Sequence, residues 1–172
     1  MFKKLIPTYR IKNLFELNFK TVKEKGYKYI FLDLDNTLDS YKTELPTDRV
    51  SQTIQIMKDN ELVPLIISNN NSKRVHNYGK ALGIDVYSSM GKPFKKKMQK
   101  LLKDKNYNPK EILMIGDQVF TDVWGGNNIG VTTMLVEPIV PEDQFVTKIK
   151  RPLEKIIKKR FDKKPYSEWW RN

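Results

Sequence analysis

The feature that most constrains this chain is the regular return of short apolar runs between helical patterns. Residues 29–33 (YIFLD), 62–68 (LVPLIIS), 84–87, 112–115 (ILMI) and 130–136 read as strands. Between them lie four helical stretches. The first is opened by Pro46, capped by Thr47 and runs to residue 60. The second is capped by Asn71 or Ser72 and ends near Leu82 and Gly83; the third has Pro93 in its first turn and ends near residue 105; the fourth is short, over 122–127. Runs that are apolar throughout belong to strands buried on both faces. Strand–helix alternation at this spacing makes βαβ units, so the expected fold class is α/β, a three-layer sandwich with a parallel sheet between helices. Ligands of such sheets sit outside the carboxyl ends of the strands. Asp33, Ser68 and Asp117 stand at those ends.

The 172 residues suit one domain, and 39% hydrophobic with 11% aromatic residues suit a folded one. No apolar run approaches the ~20 residues of a membrane-spanning helix, and the first residues lack the apolar stretch of a secretory signal. The absence of cysteine excludes disulfides and thiolate metal ligands, and fits a cytoplasmic protein. A single histidine, His76, excludes a multi-histidine metal site within the chain; it falls in a helix and reads as a surface or packing residue.

The net charge of +12 is unevenly spread. Residues 1–28 carry +6, residues 148–172 carry +7, and residues 29–147 carry −1. This divides the chain into a basic N-terminal extension, a core over 29–147 and a basic C-terminal helix and tail. Such charge is either a solvated surface or an attraction to a polyanion, membrane lipid first and nucleic acid second.

Four pieces carry chemistry. In FLDLDNTLD, Asp33 and Asp35 follow an apolar strand, an arrangement that is costly unless a cation joins the two acids. In LIISNNN, the Ser68 hydroxyl ends a buried strand, where it can donate to an anion. In GKP, Lys92 precedes a helix, where its charge and the helix amides suit phosphate. In MIGDQVFTD, Asp117 and Asp122 follow a strand and a glycine turn and can complete a metal site. Oxygen donors without thiolates favour a hard cation, Mg²⁺. Each piece alone has an ordinary explanation as a turn, a cap or a solvated lysine. Asp39 reads as a turn acid, and Met90 and Met98 as packing residues. The four together, in this order and each after its own strand or before its own helix, are another matter.

As a set, DLDNT, IISNN, GKP and GDQVFTD resemble the four motifs of the haloacid dehalogenase-like (HAD) phosphatases, over residues 29–136. The resemblance implies a Rossmann-like fold and an aspartate-based phosphoryl transfer. It makes Asp33 the nucleophile, Asp35 the general acid/base, and Thr37 the residue that steadies Asp35. It makes Ser68, Asn69 and Lys92 the phosphate-binding groups and Asp122 a supporting acid. Mg²⁺ is then held by Asp33, Asp35 and Asp117. Asn36 stands where many relatives have glycine.

Thirty-five residues separate Asp33 from Ser68, and 24 separate Ser68 from Lys92. Each gap holds one helix and one strand, with no room for an inserted cap domain. A capless, open site accepts a large substrate or one lodged in an interface. The IISNNN motif, the short spacing and the basic termini resemble the YqeG-type, or phosphatidylglycerophosphatase, branch of subfamily IIIA. That resemblance implies dephosphorylation of phosphatidylglycerol phosphate. Phe2, Leu5, Ile6, Leu14, Phe15 and Phe19 lie among the N-terminal lysines. Leu153, Ile156, Ile157 and Phe161 lie at helical spacing among C-terminal ones, before Trp169 and Trp170. Both ends suit an anionic phospholipid surface, with peripheral contact at the inner membrane face, or else ordinary docking on the core. Two other readings compete. One is a phosphatase of nucleotides or other small soluble esters. The other is a basic nucleic-acid- or ribosome-associated protein, for which no RNA-reading motif is present.

Overall fold

The computed structural model describes residues 2–140. The helix and tail expected over 148–172, with their Trp169 and Trp170, lie outside the described residues. Six strands form one sheet: β1 (Tyr9–Arg10), β2 (Tyr29–Leu32), β3 (Val63–Ile67), β4 (Val86–Tyr87), β5 (Ile112–Gly116) and β6 (Thr132–Leu135). Their order is β1-β6-β5-β2-β3-β4, and every neighbouring pair is parallel. The expected α/β class with a parallel sheet is what the chain adopts.

The central strands show why their sequences are apolar throughout. Along β2, Ile30 and Leu32 point to one face and Phe31 to the other. Along β5, Leu113 and Ile115 oppose Ile112 and Met114 in the same way. Both faces are covered, so the two-residue period of a strand places an apolar side chain on each. One face packs against α1 (Phe19–Glu24), α2 (Asp48–Asp59) and α3 (Lys73–Leu82) through Phe19, Val22, Ile54, Met57, Val75 and Tyr78. The other packs against α4 (Lys95–Asp104) and α5 (Trp124–Ile129) through Met98, Leu101 and Ile129. Burying each such large side chain contributes about 1.5–3 kcal/mol. Met90 and Met98 are core residues, as expected.

Helix ends follow local chemistry. The Thr47 hydroxyl caps α2 by accepting from the Val50 N–H. Gly83, at φ 60°, closes α3 in the left-handed region that favours glycine. Two ends differ from expectation. The third helix begins at Lys95, because a turn closed by the Phe94 N–H on the Gly91 carbonyl takes up Lys92 and Pro93. The fourth begins as a π-helical turn over Val119–Val123, in which the Gln118 carbonyl accepts from both Asp122 and Val123.

The N-terminal segment, read from its charge as an extension, is built into the core. β1 pairs with β6, Asn18 caps α1, and Leu5, Ile11, Leu14, Phe19 and Val22 are buried. Leu5, Leu14 and Phe19 therefore pack inside rather than face a membrane; the lysines around them stay in water. Among the described residues no helix is long and apolar enough to cross a membrane.

Candidate active site

The chain leaves β2 for β3 and β4 on one side, then returns to β5 on the other. The connections therefore diverge between β2 and β5, and this switch point is where an open α/β sheet presents its crevice. Asp33 lies there, its N–H donating to the Ile115 carbonyl at 2.9 Å and its residue only 8% exposed. Asp117 and Asp122 arrive from the end of β5. Carboxylate oxygens of Asp33, Asp117 and Asp122 lie within 4.8 Å of one another, all three residues buried.

Lys92 reaches this cluster from the β4–α4 connection. Its ammonium donates to Asp33 Oδ1 and Asp122 Oδ1, both at 2.6 Å, and to the Ile67 carbonyl at 2.8 Å. Asn69 fixes the main chain beneath it: Oδ1 accepts the Lys92 N–H at 2.7 Å, and Nδ2 donates to the Lys92 carbonyl at 2.9 Å. The expected phosphate-binding Asn69 thus spends its amide on positioning Lys92. Ser68 is 2% exposed; its Oγ accepts the Asn70 N–H, which leaves its proton to donate.

Asp122 is held by the π-helical turn, with Oδ2 accepting the Gln118 N–H at 3.1 Å. Such turns recur at functional sites because one extra residue re-aims the side chains around it. Gly116 makes room for this placement: a Cβ there would collide with the Asp122 carboxylate.

Asp35 goes elsewhere. Its Oδ1 accepts from Arg74 Nη1 at 2.6 Å, and its carboxylate is not part of the acid cluster, whose third member is Asp122. The loop that carries Asp35 is tight, with Asn36 at φ 63°, a conformation asparagine tolerates better than most residues. Asn36 N–H donates to the Asp39 carbonyl at 2.7 Å. Asp39, read as a turn acid, is a buried anchor that accepts from Tyr78 Oη at 2.6 Å and from the Thr47 N–H at 3.1 Å. Among the described residues the buried Thr37 hydroxyl meets no hydrogen-bond partner. His76 is exposed and contacts Asn71, as a surface residue does.

Sequence reasoning missed Arg74, yet a signal was there. Lys73 and Arg74 open α3, whose first turn holds no acid, although the positive end of a helix disfavours cations. A basic residue in that position points to a separate partner.

The electrostatics of the cluster call for a cation. Burial pushes the Asp33 carboxyl up to about 7; Lys92 opposes the shift, while the charges of Asp122 and Asp35 add to it. Burial works against the Lys92 ammonium, but Asp122 and Asp33 outweigh it and the net shift is upward. Three acids surround one ammonium in a buried, all-oxygen site. Charge and donor set both fit a hard divalent cation.

Comparison with known proteins places this chain among the HAD phosphatases. The structure of the cobalt-bound deoxy-D-mannose-octulosonate 8-phosphate phosphatase of Haemophilus influenzae superposes with a TM-score of 0.53 at 15% identity, covering 84% of this chain and 92% of that one; it shares the fold. Residues 2–140 match the model of the family described as mitochondrial PGP phosphatase, and the chain belongs to that family. A Bacillus subtilis (strain 168) relative named "Probable phosphatase YqeG" is 34% identical over 164 residues, 95% of each chain. The Arabidopsis thaliana "Phosphatidylglycerophosphate phosphatase 1, chloroplastic/mitochondrial" is 28% identical over 170 residues. That match takes in 93% of this chain but 49% of the relative, so the chain spans about half its length. The protein is thus a phosphatase, an enzyme.

Proposed function

We propose that this enzyme hydrolyses a phosphomonoester through a phosphoryl-aspartate on Asp33, with Mg²⁺ as cofactor, and that the ester is phosphatidylglycerol phosphate. The observation that carries the chemistry is the Asp33 carboxylate: buried at the switch point, with Oδ1 fixed by Lys92 at 2.6 Å. An Asp33 oxygen attacks phosphorus in line and forms an acyl phosphate as the ester P–O bond breaks. Asp35 gives the departing alkoxide its proton. In the second half, Asp35 takes a proton from water as that water attacks phosphorus. The aspartyl P–O bond then breaks, returning the Asp33 carboxylate and free phosphate. Ser68 and Lys92 donate to the non-bridging oxygens as negative charge shifts onto them. Asp33, Asp117 and Asp122 would hold the Mg²⁺, which would supply screening between carboxylate and phosphate.

Three things support the lipid. The family and the Arabidopsis relative carry that substrate in their names. The connections from β2 to β3 and from β3 to β4 hold only α2 and α3, so among the described residues no inserted cap domain stands at either place. The connections leaving the carboxyl ends of the strands expose Leu45 (61%), Phe94 (76%) and Ile139 (42%), with exposed Lys95, Lys96 and Lys97 following Phe94. Apolar residues beside lysines suit the surface of an anionic membrane.

The test is phosphate release with Mg²⁺ from phosphatidylglycerol phosphate in mixed micelles, set against nucleotides and glyceraldehyde 3-phosphate. The last is included because a Pyrococcus furiosus relative named "Glyceraldehyde 3-phosphate phosphatase" is 26% identical over 107 residues. Lipid turnover should exceed turnover of the soluble esters. Preference for a soluble ester, with no binding to anionic vesicles at low salt, refutes the lipid while leaving the chemistry standing. Full activity in Asp33→Asn protein refutes the chemistry.

A further inference from the structure

Arg74 uses three nitrogens at once. Nη1 donates to Asp35 Oδ1 at 2.6 Å, Nε to the Thr43 carbonyl at 2.6 Å, and Nη2 to the Ser40 carbonyl at 3.0 Å. Its side chain is 10% exposed, and that of Asp35 is 22% exposed. One helical turn further along α3, Tyr78 Oη donates to Asp39 Oδ2 at 2.6 Å. Two residues four apart on α3 therefore grip two acids four apart on the loop after β2.

The grip has a chemical consequence. A proton donor must lie within hydrogen-bond reach of the leaving oxygen, and small misplacements lower the rate steeply. Asp35 sits in an irregular loop, where a short side chain has several rotamers open to it. The planar guanidinium limits that freedom, because its fork ties the Asp35 carboxylate and the loop's own carbonyls to one rigid group on a helix. We infer that Arg74 is a positioning residue for proton transfer by Asp35: it fixes Oδ1 so that Oδ2 serves the leaving oxygen and then the attacking water. This rests on the reading of Asp35 as the general acid/base.

The test uses the full chain and a leaving-group series: p-nitrophenyl phosphate, phenyl phosphate, and an alkyl phosphate that the wild type turns over. A nitrophenolate leaves without a proton, whereas an alkoxide needs one. Asp35→Asn sets the reference, with losses that grow toward the alkyl ester. Arg74→Ala should lower kcat/KM, which reports transfer to Asp33 and not the common hydrolysis step, by ~10–100-fold on the alkyl ester and by less than about threefold on p-nitrophenyl phosphate, a fraction of the 10²–10⁴ that positioned acid–base groups contribute. Arg74→Lys, which keeps the charge without the fork, should fall between and serves if the alanine variant does not fold. In an Asp35→Asn background the further loss from Arg74→Ala should vanish, since both changes remove one function. Equal losses across the series, or losses that add to those of Asp35→Asn, would overturn the inference alone. An Asp35→Asn protein whose losses ignore the leaving group would overturn the assignment of Asp35, and the inference with it.

Discussion

Replacing Lys92 with methionine isolates the electrostatics of the site. All three ammonium protons are placed, on Asp33 Oδ1, Asp122 Oδ1 and the Ile67 carbonyl. Methionine keeps the unbranched stem in a site only 5% exposed, so packing changes little. Removing one partner of a buried ion pair costs about 3–5 kcal/mol. Asp33, already pushed up to about 7 by burial, relieves part of this by taking a proton. The expected loss is thus at the low end, ~3 kcal/mol. For a chain of this size that lowers Tm by roughly 6–12 °C. The measurement is thermal unfolding in EDTA, where no cation can stand in for the lysine. Adding Asp122→Asn should restore ~1–3 kcal/mol, because it removes a carboxylate left without its donor. With Mg²⁺ present, the variant's turnover should fall by ~10²–10³. Its Mg²⁺ affinity should meanwhile rise, since the ammonium shared by Asp33 and Asp122 no longer competes with the cation. A variant as stable as wild type in EDTA, or one that binds Mg²⁺ more weakly, would refute the account of Lys92 as the counter-charge of this cluster.

Asp33→Asn should abolish turnover with its circular dichroism spectrum unchanged, and beryllium fluoride should label the wild-type site but not the variant, as fluorine NMR can report. Chelation should remove activity and Mg²⁺ restore it, while Asp117→Ala should shift the Mg²⁺ titration to at least about tenfold higher concentration, the scale on which ligand-shell losses are measured. Gly116→Ala should displace Asp122, breaking its bonds to Lys92 and the Gln118 N–H. Loss of such charge-assisted bonds costs about 1.5–3 kcal/mol, read by denaturant midpoint, and Gly116→Ala with Asp122→Ala should lose less than the sum.

The central strands were legible because their environment is uniform: β2, β3 and β5 are buried on both faces, and only apolar runs satisfy that. The groups at their ends, Asp33, Ser68 and Asp117, were legible for the same reason, since a polar residue closing such a run stands out. β1 was not, because it is a two-residue edge strand of half-buried residues, Tyr9 and Arg10, paired across more than 120 residues with β6. Net charge then misdescribed the segment around it, since lysines reach water from the same short elements whose Leu14 and Val22 are fully buried. Arg74 and Tyr78 were hidden because their partners, Asp35 and Asp39, lie 39 residues away, and no local period marks a contact made across a loop. The direction of the Asp35 carboxylate was hidden for the converse reason. Its sequence neighbour Asp33 enters the cluster, but the tight turn at Asn36 carries the second carboxylate toward α3.

How Lys92 is held in register follows from the end of β3. Three consecutive residues there act on Lys92 or beside it. The Ile67 carbonyl takes one proton of the ammonium, the Ser68 hydroxyl lies next in the chain, and the Asn69 amide grips the Lys92 main chain on both sides. The lysine is thus fixed at its root and at its tip by one segment at the end of a buried strand. Pre-placed donors of this kind stabilise developing charge without rearranging during the reaction.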